Sequence, residues 1–286
     1  MRKICIFFSF LVSGYAALAQ AEFGVFGGIA NYQGDMVDKA YQSARGAFGL
    51  SLGYELSKRI TVRGGLTFAK VAGADSLSNH SDLRARNLSF QSAITELSLR
   101  AEVATFDLDY KKWTPYVFAG LAVYHFNPYT YDQRGNRVYL QGLSTEGEGL
   151  PQYPNVRPYA LTQIALPFGG GIKFSLSDNV RLGLEVGLRK LFTDYLDDVS
   201  GTYADPNDLL AARGPRAVEL SYRGGEVRGG DPNYPSKGMQ RGSPKSKDYY
   251  YFTGIQVQFL LPEGNHGSVA DKAARKAGYG CPVLRY

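Results

Sequence analysis

Eight stretches of this chain alternate apolar and polar residues, and the connections between them alternate between short and long. Successive side chains of a β-strand point to opposite faces, so strict alternation gives a strand one apolar and one polar face. In the clearest stretch, Val180–Leu188, the apolar residues occupy every second position: Val180, Leu182, Leu184, Val186 and Leu188. Together with the loop lengths, this pattern predicts a transmembrane β-barrel whose apolar face meets lipid and whose polar face lines the lumen.

The predicted fold class is all-β: an eight-stranded antiparallel transmembrane β-barrel with long extracellular loops and a periplasmic C-terminal tail. The strands are expected at residues 22–31, 47–56, 60–70, 88–106, 113–126, 161–176, 180–192 and 249–261. The connections after the second, fourth and sixth strands are short, and the other connections are long. Bacterial barrels have short periplasmic turns and long external loops, so we expect an outer-membrane protein with both chain ends in the periplasm.

The chain begins with a predicted secretory signal at residues 1–19. Arg2 and Lys3 form its positive start, a short apolar run follows, and a small-x-small cleavage site ends it. The apolar run is too short to cross a bilayer as a helix. The predicted domain organisation is therefore a signal, a barrel over 20–261 and a periplasmic extension over 262–286.

The charge and the composition narrow the class of partner. The formal net charge of +6 is spread along the chain, without the basic cluster that nucleic acid binding needs, so no nucleic acid partner is expected. The 21 Tyr and 16 Phe suit aromatic girdles at the two interfaces of a membrane. The 34 Gly suit tight turns and a crowded small lumen. Outer-membrane lipid is expected to surround the barrel.

An eight-stranded barrel has an interior that side chains just fill, so a wide channel is not expected. Strand parity places nine charged side chains of mixed sign in that interior: Glu55, Arg63, Glu96, Arg100, Glu102, Lys173, Arg181, Glu185 and Arg189. Buried charges persist when they are paired and hydrogen-bonded. We therefore expect a salt-bridge network that closes the lumen, with a proton or ion pathway as the functional alternative.

The segment after the seventh predicted strand carries Asp194, Asp197 and Asp198 within five residues. Carboxylate oxygens at this density can hold Ca²⁺, which makes these residues a weak candidate for a metal site. The spacing is not that of an EF-hand loop, and aspartate also orders turns through local backbone hydrogen bonds. Loop ordering is the favoured interpretation, and no metal or other cofactor is expected.

Two loops, 127–160 and 193–248, are much longer than the others. The second is rich in Gly, Pro and Arg and has little apolar periodicity. A segment of this composition is expected to be mobile, or ordered only against another protein.

The histidines after the predicted signal are His80, His125 and His266. His80 is expected in an outer loop, His125 at the outer end of the fifth strand and His266 in the tail. No recognisable Ser-His-acid spacing, Cys-x-x-Cys pair or phosphate-binding loop accompanies them. We expect a protein that is not an enzyme, with a lipid- or protein-modifying barrel that uses His125 or His80 as the alternative.

The predicted extension at 262–286 follows the last strand, where most single-domain barrels end. Its last six residues are apolar enough to dock against a partner: Cys281, Pro282, Val283, Leu284, Arg285 and Tyr286. Cys281 is the only cysteine after the signal, and in an oxidising envelope a lone cysteine suggests an intermolecular disulfide or a free thiol. A partner-binding tail is the favoured hypothesis, and a disordered end with an unused thiol is the alternative.

Three segments carry a resemblance to a known family. They are Phe23–Gly28 running into Asn31-Tyr32-Gln33-Gly34-Asp35, Arg84–Leu88 leading into Glu96-Leu97-Ser98, and Phe192–Tyr203. On these segments, and over roughly residues 22–261, the chain resembles small outer-membrane barrels of Bacteroidetes, in particular the PorG-type component of the type IX secretion system. The resemblance implies a protein that accompanies a periplasmic ring-forming lipoprotein and its associated subunit. It also implies a role in cargo secretion and gliding motility.

The leading hypothesis is a non-enzymatic subunit of a protein secretion machine. Its barrel anchors it in the outer membrane, and its periplasmic turns and tail contact the lipoprotein ring, with an intermolecular disulfide at Cys281 as one means of attachment. The alternatives are the modifying enzyme and a surface-binding or adhesion barrel that works through the loops after the fifth and seventh strands.

Overall fold

The computed structural model describes residues 20–244 and 247–261, so the predicted signal and extension lie outside the described residues. Eight long strands form one antiparallel sheet that closes through pairing of the fourth with the fifth. They are β1 (Ala21–Gln33), β2 (Arg45–Ser57), β3 (Ile60–Ala74), β4 (Ser89–Ala104), β5 (Trp113–Tyr131), β7 (Thr162–Ser177), β8 (Val180–Leu191) and β9 (Tyr249–Leu260). A short strand, β6 (Arg137–Tyr139), extends β5. The predicted eight-stranded barrel is confirmed.

The side chains of each strand alternate between the lumen and the outer wall. On β2, Phe48, Leu52 and Tyr54 are exposed, whereas Ala47 and Glu55 are buried. The other long strands likewise expose large apolar side chains, among them Leu97 on β4, Leu121 on β5, Leu184 on β8 and Ile255 on β9. Water-soluble monomers rarely expose an apolar surface this continuous, and a membrane-spanning barrel requires one.

The two ends of the barrel differ in the length of their connections. Two-residue turns or short loops join β2 to β3, β4 to β5 and β7 to β8 at one end, here called the short-turn end. Gln20 and Leu261 also lie there, because the Leu261 N–H donates to the Ala21 carbonyl oxygen at 2.8 Å. The long loops all emerge at the opposite end.

The long loops contain more regular structure than the sequence predicts. Three short helices occur in them: α1 (Ser81–Arg86), α2 (Pro206–Arg213) and α3 (Pro215–Ser221). Asp205 caps α2 by accepting a hydrogen bond from the Asn207 N–H, which satisfies one free donor at the start of the helix. Among the residues that the structure describes, no helix is long and apolar enough to cross a membrane.

Two predictions about the loops are wrong. The fifth strand does not end at residue 126 but continues to Tyr131, because its last residues pair with β6 in a hairpin. The described part of 193–248 is ordered against other loops of the same chain, and it includes α2 and α3. Alternation along the sequence could not reveal this, because the stabilising contacts join loops that are far apart in the chain.

Candidate functional site

Ten charged side chains of the described residues form ion pairs in the lumen, five acidic and five basic. Nine of them are the residues that strand parity places there: Glu55, Arg63, Glu96, Arg100, Glu102, Lys173, Arg181, Glu185 and Arg189. The tenth is Glu22 on β1. Because the charges are equal in number and paired, this group, here called the lumen network, carries no net charge.

Glu102 is the centre of the lumen network. Its carboxylate lies 2.7 Å from Arg63 Nε, 3.0 Å from Arg100 Nε and 2.6 Å from Lys173 Nζ. Arg63 is 1% exposed and also pairs with Glu22. A carboxylate shared among three buried cations, each within hydrogen-bond distance, meets the condition under which buried charges persist.

Two further carboxylates extend the lumen network toward the long loops. The guanidinium of Arg100 donates to both oxygens of Glu185, at 2.6 and 2.9 Å, and the Tyr116 hydroxyl donates to the same group at 2.7 Å. Arg189 donates to Glu96 through Nε at 3.0 Å and Nη2 at 3.1 Å. Such two-point arginine–carboxylate pairs fix the orientation of both groups, so the network is rigid as well as neutral.

Little free space remains around the lumen network. A cavity of about 30 Å³, lined partly by Ser51, Gly65 and Ser98, has room for one or two water molecules. Gly53 makes room for the network itself, because a Cβ atom there would lie 2.5 Å from Glu22 Oε1. A filled and paired interior is the arrangement expected of a small closed barrel rather than of a channel.

Aromatic side chains fill the lumen beyond the network and continue into the long loops. Tyr124 stacks on Phe126 with ring centroids 5.4 Å apart, Phe126 lies 6.1 Å from Tyr159, and Tyr159 lies 4.9 Å from Tyr195. The first two residues belong to β5 and the last two to loops, so the column joins the barrel to a folded structure on its long-loop end. We call this structure the cap, and it comprises residues 34–44, 75–88, 132–161, 192–244 and 247–248.

The Asn31–Asp35 segment connects the barrel to the cap. The hydroxyl of Tyr32 donates to Asp197 Oδ2 at 2.5 Å and lies 3.2 Å from Asp248 Oδ1. Gly34 lies directly beside this contact, because a Cβ atom there would be 2.0 Å from Asp248 Oδ1 and 2.1 Å from the Tyr32 hydroxyl. The tyrosine and the glycine of this segment are therefore explained by one buried contact.

The Arg84–Leu88 segment provides a second connection within the cap. Arg86 donates to both oxygens of Asp75 at 2.7 Å and also to the main-chain oxygen of Arg241. Arg241 in turn donates to Glu146 Oε1 at 3.0 Å. Two of the three sequence segments that carry the family resemblance thus contribute buried residues to the cap, and the first contacts the cap through Tyr32.

The interior of the cap has an excess of acidic groups. The buried charged residues that form the cap acid cluster are Asp75, Glu146, Glu148, Asp194, Asp197, Asp198 and Asp248, with Arg86 and Arg241. Burial raises the pKa of Glu148 to about 8, and the charges of Asp198 and Glu146 add to the effect. Burial also raises the pKa of Asp194 and of Asp198 to about 6, and it raises the pKa of the two carboxyl groups that meet at Tyr32. Part of this cluster is therefore protonated near neutral pH.

The three aspartates considered for a metal site all belong to the cap acid cluster. Asp198 accepts hydrogen bonds from the hydroxyls of Tyr159 and Thr145, both at 2.6 Å. Asp194 and Asp197 likewise accept from side-chain or backbone donors of the cap. In the part of the chain that the structure describes, no group of three His, Cys, Asp or Glu side chains is arranged to hold a metal ion. The hydrogen bonds of these aspartates order the loops of the cap.

The remaining residues singled out in the sequence lie elsewhere. His80 is exposed and precedes α1, whereas His125 points outward from β5 with Nδ1 2.9 Å from Thr162 Oγ1. The two histidines are on different surfaces, one on the cap and one on the outer wall. Residues 281–286 and His266 lie outside the described residues, so the structure does not place the proposed tail contact.

The sequence pattern does not predict several residues of the two clusters. Glu22 is the second residue of β1. Glycines occupy inward positions after it, so the strand lacks the clear polar alternation that would mark Glu22 as facing the lumen. Glu146, Glu148 and Arg241 lie in loops without periodicity. The available signal was local: Glu146 and Glu148 flank Gly147, which has a φ of +87° and turns the chain back on itself.

Three comparisons place the chain among known proteins. Its sequence matches a family model described as "Domain of unknown function (DUF6089)" over residues 2–212, and no curated protein matches it. Similar solved structures include the outer membrane protein OprG of Pseudomonas aeruginosa (10% identity, TM-score 0.42, 85% of this chain and 98% of that chain). Others are Neisserial surface protein A (10%, 0.40, 85% and 97%) and Ail of Yersinia pestis (9%, 0.40, 85% and 99%). At these identities the likeness concerns the fold alone.

The lumen network predicts the effect of removing its central carboxylate. Glu102→Gln leaves Lys173 without its ion-pair partner in the lumen, so unfolding in phospholipid vesicles should become easier by about 3 kcal/mol. Trp113, the only tryptophan, reports unfolding by fluorescence during a urea titration. The control is Asp109→Asn, which removes an exposed pair with Lys58 and should cost less than about 1 kcal/mol. Equal stability of the two variants would contradict the account.

The contact at Gly34 predicts a selective effect on the cap. Gly34→Ala forces apart the Tyr32 and Asp248 side chains, which should destabilise the cap by about 1–3 kcal/mol and leave the barrel folded. Limited proteolysis should then cut the 192–248 loop faster than in the wild type. Gly27→Ala is the matched control, because a Cβ atom at that position meets nothing within 4 Å. If both variants are cut at the wild-type rate, the contact does not hold the cap.

The cap acid cluster predicts a loss of cap stability as pH rises. A carboxyl whose pKa is higher folded than unfolded favours folding below its unfolded pKa near 4, and that contribution disappears as pH rises through its folded pKa. For Asp194, Asp198 and Glu148 this contribution is lost between about pH 4 and pH 8. Hydrogen exchange, corrected for its intrinsic pH dependence, should show cap protection at least about tenfold lower at pH 8 than at pH 5. Constant or rising protection would count against it.

Proposed function

We propose that this chain, which belongs to the family described as a domain of unknown function (DUF6089), is a non-enzymatic outer-membrane subunit of a protein secretion machine of type IX. The observation that supports this proposal is the neutral, filled lumen, in which Arg63 and Glu102 are both 1% exposed. A barrel closed in this way is suited to anchoring rather than to transport through its own interior. Its working surfaces are then its two ends.

The connection lengths support the proposed orientation. Outer-membrane barrels keep short turns on the periplasmic side and long loops outside, so the cap is external and the short-turn end is periplasmic. The chain leaves the barrel at Leu261, which pairs with Ala21 at the short-turn end. An extension that starts there begins in the periplasm.

The proposed partners are a periplasmic ring-forming lipoprotein and its associated subunit. The residues proposed to contact them are Cys281, Pro282, Val283, Leu284, Arg285 and Tyr286. An intermolecular disulfide at Cys281 is one proposed attachment, because the envelope is oxidising and residues 20–286 contain no second cysteine. The short turns offer a second contact surface at the same end.

A surface-binding barrel is the second candidate function. The observation that favours it is the folded cap, since loops that only connect strands do not need a buried core of their own. A modifying enzyme remains the third hypothesis, with His125 or His80 as its base.

A pull-down of the tagged protein in mild detergent tests the secretion proposal. A periplasmic lipoprotein should co-purify with the full chain, and deletion of 262–286 should remove it. Loss on reduction, or with Cys281→Ser, would support the disulfide. His125→Ala is the matched control and should retain the partner and the secretion of cargo. A lipoprotein that is absent from the full chain, or that is retained without the tail while secretion continues, would overturn the proposed attachment.

A further inference from the structure

The outer surface of the cap contains one large cleft that the proposed secretion role does not use. Its volume is about 800 Å³, and it lies between α1 and the segment 231–243. Tyrosines form one wall, Arg86 and Arg241 form part of the floor, and acidic side chains lie among the remaining lining residues. A cleft of this size accommodates a ligand much larger than a single functional group.

The aromatic wall consists of three tyrosines from different parts of the cap. The ring centroids of Tyr203 and Tyr234 are 5.7 Å apart, and Tyr222 lies 6.1 Å from each of them, with all three pairs close to perpendicular. Tyr222 is held in place by a 3.0 Å hydrogen bond from its hydroxyl to the Asp231 carbonyl oxygen. The hydroxyl of Tyr234 is shielded from solvent and has no partner among the described residues. The wall is therefore rigid, and a ligand can reach it at Tyr222 and Tyr234, which are partly exposed, whereas Tyr203 is 3% exposed.

The available charge of the cleft is negative. Arg86 and Arg241 are already neutralised by the buried carboxylates of Asp75 and Glu146. By contrast, three acidic residues of the lining form no ion pair with any described residue: Asp35, Asp82 and Asp231. Clefts lined by one sign of free charge concentrate ligands of the opposite sign.

We infer that this cleft binds a polypeptide segment that carries arginine or lysine side chains. Rigid aromatic faces next to carboxylates are the surroundings that a guanidinium or ammonium group prefers, because the ring attracts the cation and the carboxylate pairs with it. The volume exceeds that of one such group, which favours several residues of a chain over a lone small cation. An anionic ligand would meet three carboxylates and no unpaired arginine among the described lining residues.

The Asp231 side chain is oriented for this role. Its Oδ1 accepts hydrogen bonds from the backbone N–H of Asn233 at 2.9 Å and from its side-chain amide at 2.8 Å. These contacts fix the carboxylate at the edge of the cleft and leave Oδ2 available to a ligand. Asp82 is exposed on α1, so cations can approach from either side.

Binding of short peptides to the full chain in phosphatidylcholine nanodiscs tests the inference. The probe is a fluorescent tetrapeptide with two central arginines, and the neutral reference carries citrulline in their place. The arginine peptide should bind, and binding should weaken about tenfold when NaCl rises from about 0.05 to 0.5 M, because the contacts are exposed to solvent. The citrulline peptide should bind at least about tenfold more weakly.

Variants of the cleft make the test specific. The double variant Asp82→Asn and Asp231→Asn should lower the affinity for the arginine peptide about tenfold, and Tyr222→Ala should lower it about fivefold. Asp109→Asn is the matched control, since it removes an acidic side chain at the short-turn end, and it should bind like the wild type. Near-ultraviolet circular dichroism checks that each variant keeps the cap.

Four results would overturn the inference. The first is equal binding of the citrulline and arginine peptides, and the second is an unchanged affinity in the double variant. The third is tighter binding of spermidine than of the peptide, which would assign the cleft to free polyamines. The fourth is binding of a neutral oligosaccharide with no binding of the arginine peptide, which would assign it to glycans. The secretion proposal can fail without affecting these outcomes, because the cleft and the tail are tested by separate variants.

Discussion

One electrostatic constraint shapes this molecule: charged side chains that are buried in a narrow lumen must neutralise one another. Five carboxylates and five cations do so, with Glu102 shared among three of the cations. Long charged side chains reach these positions because small residues such as Gly53 leave room for them. The barrel becomes a filled, neutral cylinder with an apolar outer wall.

The buried charges of the cap, unlike those of the lumen, are not balanced. Its interior contains more carboxylates than cations, so protons and hydroxyl donors such as Tyr32 and Tyr159 replace the missing positive charge. The same donors connect segments that are distant in sequence and so hold these loops against one another. In the surface cleft of this cap the unpaired charge is also negative, and it lies beside an aromatic wall. The anchoring that we propose for the barrel and the recognition that we propose for the cap therefore use separate parts of the molecule.

The sequence predicts the barrel well, because a side-chain period of two identifies both faces of β2 or β8 without any knowledge of their neighbours. It also identifies nine of the lumen charges, since parity alone decides their direction. It cannot predict which lumen charges form ion pairs, because Arg63 meets Glu22 and Glu102 only once the barrel has closed. The structure of the cap cannot be predicted for a similar reason. Tyr32, Asp197 and Asp248 come together only in the folded chain, and no local sequence pattern predicts that contact.

The central claim is that the paired lumen closes the barrel, and the conductance of the purified protein in planar lipid bilayers tests it most directly. The account predicts no steady ionic current at moderate voltage in 1 M KCl, where even a narrow open pore would be detected. Reproducible, ohmic current steps that scale with protein concentration would show that the lumen network is not a seal. In that case transport through the barrel, rather than anchoring, would have to be explained.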